Sequence, residues 1–159
     1  MAYSLTDLII GTCDAIYEQL GPSHNECVYQ KALILELYNI GARSVEFEKH
    51  VPVFFKDSVG TVHTIGDERI DILATFEDDI VLMELKAVAK NRLPTCVDQL
   101  NKYKRALAYL NIYPTKSILV NFPQQMDTTK VESMVILFES KNPLHERSGP
   151  RDDRALNIE

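Results

Sequence analysis

The run Ile80-Val81-Leu82-Met83-Glu84-Leu85-Lys86 constrains the fold of this chain more than any other stretch. Four consecutive apolar side chains point to both faces of an extended strand, so both faces need a cover. The run therefore predicts a central strand in a sheet with helices on each side. It is far too short for a bilayer: Glu84 follows after four apolar residues, against roughly 20 for a spanning helix. No basic leader with a small-residue cleavage site opens the sequence, so a soluble, non-secreted protein is expected.

Around this strand the chain reads as one domain. A length of 159 residues suits a single core burying roughly 70% of the unfolded surface. Residues 1–140 carry the hydrophobic pattern, and 141–159 read as a mobile tail. Leu5, Leu8, Ile9, Ile16 and Leu20 recur at helical spacing behind Ser4-x-x-Asp7, and Gly21-Pro22 stops the helix. Ser23, with Glu26 three residues on, reads as the N-cap of a second helix that ends at Gly41. The period then drops to two, predicting strands at 45–47, 51–56, 59–65 and 70–76 ahead of the central one. Leu93-Pro94 breaks the chain, Val97 to Leu110 is helical, and 116–122 and 131–138 are strands, giving the order α-α-β-β-β-β-β-α-β-β.

Charge and cysteine content narrow the function classes. A net charge of −6 argues against a protein that coats nucleic acid nonspecifically. Yet between Leu85 and Lys116 lie seven basic residues (Lys86, Lys90, Arg92, Lys102, Lys104, Arg105, Lys116) against one acid, Asp98, so the average hides a basic segment. Cys13, Cys27 and Cys96 are odd in number and lack a C-x-x-C spacing, which predicts a reducing, intracellular compartment and cysteines acting as small core hydrophobes.

Asp71, Glu84 and Lys86 break the apolar pattern at the ends of two adjacent strands, where charge is costly unless paired or bound to a cation. A two-residue loop at Asp78-Asp79 sets Leu73 opposite Glu84 and Asp71 opposite Lys86, all three charges on one face; a three-residue loop moves Asp71 to the other face. Two carboxylates on one face suit a hard dication, and a neighbouring lysine can orient or deprotonate the attacking water. Simpler readings stand beside this one. Glu26 serves as a capping partner, Asp71 with Arg69 or Glu84 with Lys86 forms a surface ion pair, Gln99 and Tyr103 touch along a helix, and the lysines form a solvated face.

Asp71, twelve residues, then Glu84-Leu85-Lys86 resembles the core of the PD-(D/E)xK nuclease superfamily. Leu20-Gly21-Pro22-Ser23-His24-Asn25-Glu26-Cys27-Val28-Tyr29 resembles the defining stretch of the GxxExxY family, as do Glu-Leu-Lys-Ala-Val at 84–88 and Val-Asn-Phe at 120–122. Gln99-x-x-x-Tyr103 resembles the motif of RecB-like exonucleases. Ser23 stands where the family has glycine, and Tyr17 and Cys96 where it often has histidine. The resemblance implies a restriction-endonuclease-like α/β fold with a central mixed sheet flanked by helices. It further implies a Mg²⁺- or Mn²⁺-dependent nuclease acting on DNA, with Asp71, Glu84 and Glu26 as metal ligands and Lys86 near the water. Gln99, Tyr103 and Tyr29 would support the site, and Lys90, Arg92, Lys102, Lys104 and Arg105 would approach phosphates. The alternative is a catalytically silent homodimer of the same fold that binds nucleic acid or serves a structural role.

Overall fold

Helix α1 (Leu5–Leu20) begins where Ser4 and Asp7 close a capping box, the Asp7 N–H donating to Ser4 Oγ at 3.1 Å and the Ser4 N–H to the Asp7 carboxylate at 3.3 Å. It ends at Gly21, whose φ of 68° lies in the region a side chain disfavours. Helix α2 spans Glu26–Asn39. Its start corrects the sequence reading: the N-cap is Asn25, and Ser23 sits outside the helix at φ 76°, where its N–H donates to Gln124 Oε1 at 2.7 Å. A left-handed backbone at Ser23 explains why the resembling motif carries glycine there. Glu26 is thus the first helical residue rather than the third, and it is not a capping partner of Ser23.

In the computed structural model, which describes residues 2–138, the four expected strands before the central one merge into two. These are β1 (Ser44–Lys56) and β2 (Val62–Thr75), an antiparallel pair joined by a turn in which Asp57 accepts the Thr61 N–H at 2.8 Å. Pro52 sits within β1 because β1, among the described residues, is an edge strand with one side unpaired. Strand β3 (Ile80–Lys86), a short 3₁₀ turn (Leu93–Cys96), helix α3 (Val97–Tyr109), β4 (Lys116–Asn121) and β5 (Glu132–Leu137) follow. The sheet order is β1-β2-β3-β4-β5; β3 and β4 run parallel through the α3 crossover and the other neighbours antiparallel, a mixed sheet. The expected tail at 141–159 lies outside the described residues.

The central strand is covered on both faces, as its apolar run requires. Met83 and Leu85 pack with Cys13, Tyr17, Tyr29 and Leu33 of α1 and α2, while Leu82 packs with Leu100, Tyr103 and Leu107 of α3. Burial raises the Cys13 thiol to about 12, fitting a core hydrophobe, whereas Cys27 is exposed and corrects that expectation. One irregularity positions the site. Val45 and Ile72 face α1 and α2, yet Val51 and Ile70, of the same parity, face α3. Both strands therefore switch faces between these residues, at Glu48 (φ 51°) and Asp71.

Candidate active site

The β2–β3 ladder pairs Thr75 with Ile80, Ala74 with Val81, Leu73 with Leu82 and Ile72 with Met83, around a loop of Phe76 to Asp79. The loop is two residues longer than the two-residue reading. A shift of two keeps parity along the regular ladder, which ends at Ile72, and brings Asp71 level with Glu84 rather than Lys86, where its charge reaches the Glu84 carboxyl. The Phe76 N–H donates to Asp79 O at 2.8 Å, which makes 74/81 and 72/83 the hydrogen-bonded pairs and leaves the Leu85 N–H next in line for the Ile70 carbonyl. The ladder stops first. Leu85 N–H donates instead to Asp71 Oδ2 at 2.8 Å, so the carboxylate fills the place of the missing strand acceptor and is held against β3.

Glu84 is 2% exposed and Asp71 8%. Glu84 Oε1 accepts from Lys86 Nζ at 2.6 Å, while Oε2 is buried with no donor among the described residues. Burial, and next the charge of Asp71, push the Glu84 carboxyl up to about 8. Burial also raises Asp71, opposed by the Leu85 N–H and the Lys86 charge. Burial disfavours the Lys86 cation, but the bond to Glu84 and the fields of Glu84, Glu26 and Asp71 outweigh it, so its amine titrates above the usual lysine range. Two buried carboxyls and an oxygen without a donor leave room for a proton or a cation. Glu84 and Lys86 do form the ion pair, at 2.6 Å, but as a largely buried pair rather than a surface one, and Arg69 pairs with Glu48 at 2.6 Å rather than with Asp71.

Glu26, at the start of α2, is raised by burial and then by Asp71, so it stands within the site's field. It does not complete a cluster: among the described residues no three His, Cys, Asp or Glu side chains converge to hold a metal ion. Tyr103 projects from α3 at 2% exposure, and burial followed by the charge of Glu84 lifts its phenol to about 12. Gln99 donates to its Oη at 2.6 Å. Tyr29 donates to Gly21 O at 2.6 Å and stacks on Phe122 at 4.3 Å, fixing the α1–α2 turn rather than touching the carboxyls.

The basic residues do not form one stripe. Lys90 lies 4.0 Å from Asp127 and shares with Arg92 the loop leaving β3; Lys102 pairs with Glu68 at 2.9 Å, and Arg105 is exposed on the outer side of α3. Lys104 is turned away from these two by the helical period and lies over the Phe138 ring at 4.0 Å. Sequence reasoning missed the residues that hold the loops. Buried Asn121 accepts the Val88 N–H at 3.0 Å and donates to Val88 O, Ala89 O and Glu132, clamping the loop after Lys86. Its signal was a polar residue inside an apolar strand. Gln30 and Glu48, which flank Asp71, gave none that periodicity detects.

The sequence matches the family model of the PD-(D/E)XK nuclease superfamily over residues 3–133. The chain belongs to that superfamily. Its mixed five-strand sheet with three helices is the superfamily's restriction-endonuclease-like fold, and the family relationship points to nuclease activity on nucleic acid, generally with divalent metals. The narrower GxxExxY membership is not confirmed. No curated protein matches. Among solved structures the crystal structure of SSO0001 is 19% identical, covering 86% of this chain and 70% of that one at a TM-score of 0.47. Among the described residues no helix is long and apolar enough to cross a membrane.

Proposed function

We propose that the protein is a Mg²⁺-dependent phosphodiester hydrolase acting on DNA. The observation that carries this reading is Glu84 Oε2, buried without a donor beside the Asp71 carboxyl, with the Lys86 amine 2.6 Å from the other Glu84 oxygen. Asp71 and Glu84 would hold the cation; Mg²⁺ is typically bound by one or two carboxylates and keeps several waters, so a two-carboxylate centre fits it. Bound there, a dication polarises a phosphoryl oxygen and generates a nucleophile near neutral pH.

This chain's own residues supply the rest. The Lys86 amine is held on the carboxylate face by Glu84, placed to orient the attacking water and to meet phosphate charge. Glu26 adds negative potential from α2, while Tyr103, braced by Gln99, covers the pair from α3 and keeps bulk water off it. Lys90 and Arg92 on the loop after β3, with Lys102 and Arg105 of α3, approach the backbone phosphates; Lys104 stands apart. The test is cleavage of duplex and single-stranded DNA with Mg²⁺ or Mn²⁺. Activity is expected in wild type and lost in Glu84→Ala with DNA binding retained; metal-dependent cleavage surviving Glu84→Ala would refute the assignment.

A further inference from the structure

The ladder around Asp71 is broken on two sides, and a different side chain repairs each break. On the β3 side the Asp71 carboxylate takes the Leu85 N–H. On the β1 side Phe47 pairs with Ile72 and Lys49 with Ile70, but Glu48 and Asp71 do not pair, and Glu48 turns to φ 51°. That leaves the Asp71 carbonyl, which points toward β1, without its strand donor. Gln30 supplies one. Its side chain, 6% exposed on α2, donates through Nε2 to Asp71 O and to Glu48 Oε1, each at 3.0 Å. A buried carbonyl left without a donor keeps its full desolvation penalty, so the distorted strand needs this donor to persist.

We infer that Gln30 is a positioning residue: by bonding the Asp71 carbonyl it holds β2 in the broken-ladder conformation that turns the Asp71 carboxylate onto the Leu85 N–H and toward Glu84. Glu48, anchored by Arg69 Nε at 2.6 Å, fixes the Gln30 amide in place. Without the amide, the Asp71 carboxylate is expected to swing off the Leu85 N–H and leave it without an acceptor. The consequence for cation binding rests on the proposed role of Asp71 as a ligand; the positioning itself does not.

Two readouts separate these. In metal-free protein, Gln30→Met keeps the side-chain length and removes both donors. Its amide hydrogen exchange should show the Leu85 N–H losing protection by about tenfold or more relative to Met83 in the same strand, while a change in global stability alone moves both together. Gln30→Leu repeats the test should the methionine variant not fold. A Leu85 amide as protected as in wild type, relative to Met83, overturns the positioning role. The second readout is calorimetric Mn²⁺ titration. Wild type should bind, and Gln30→Met more weakly by about tenfold, 1.4 kcal/mol. If Leu85 loses protection but wild type binds no Mn²⁺, the positioning stands and the metal-centre reading fails. If wild type binds and Gln30→Met binds equally with Leu85 unchanged, the metal reading stands and the positioning falls.

Discussion

Replacing Glu84 by glutamine should stabilise the metal-free protein at high pH and leave it little changed at low pH. Glu84 is 2% exposed, and burial with the Asp71 charge raises its carboxyl from an ordinary 4.5 to about 8. For an acid whose folded pKa is raised, the native state binds more protons than the unfolded chain between the two values, so stability falls as pH rises through that window and the full penalty is present above it. At about 1.4 kcal/mol per unit, that shift corresponds to roughly 5 kcal/mol. That shift already includes the opposing bond and charge of Lys86, and glutamine stands in for the protonated carboxyl. The gain is then a few kcal/mol near pH 8.5, falling below about 1 kcal/mol near pH 5. Urea unfolding of wild type and Glu84→Gln in EDTA at both pH values measures it. A variant destabilised equally at both would refute the claim that burial beside Asp71 holds Glu84 in a costly charged state.

Three further outcomes follow from the geometry. Glu26→Gln should weaken Mn²⁺ binding severalfold, less than Asp71→Asn does, because Glu26 contributes field without completing a three-carboxylate cluster; equal calorimetric affinities would remove it from the site. Lys102→Glu combined with Arg105→Glu should abolish DNA binding at moderate salt and flatten its salt dependence with the melting temperature nearly unchanged, whereas Lys104→Glu should not; unaltered binding by the double variant would move the contact elsewhere. Ser117 Oγ is buried with no partner among the described residues, so Ser117→Ala should raise unfolding stability by about 1 kcal/mol, and a loss in urea would show the hydroxyl to be bonded.

What the sequence discloses follows from which interactions are local. The apolar run of β3 and the caps of α1 are read from neighbours a few positions apart, and both stand. The loop between β2 and β3 was misread by two residues, a slip that keeps parity and brings Asp71 level with Glu84 rather than with Lys86. The merging of strands into β1 and β2 was hidden because the polar stretches 48–50 and 66–69 read as gaps in the alternation, whereas Lys49, His50 and residues 66–69 are paired within one continuous ladder. The N-cap at Asn25 was missed because Ser23 satisfies the capping pattern yet adopts a left-handed backbone set by Gln124, 101 positions away. Gln30 acts on a backbone carbonyl 41 positions away and Glu48 on the Gln30 side chain 18 positions away, which no spacing rule reveals, whereas Asn121 was marked by its polarity inside an apolar strand.

The central claim is that Asp71 and Glu84 share one divalent cation. The most direct measurement is the anomalous difference map of a crystal soaked in Mn²⁺ at near-neutral pH, beside a crystal of Asp71→Asn with Glu84→Gln treated identically. The account predicts a peak between the Asp71 and Glu84 carboxyls, with the Lys86 amine on the same side, and no peak there in the double variant. Manganese bound elsewhere with these two carboxyls uncoordinated would contradict it.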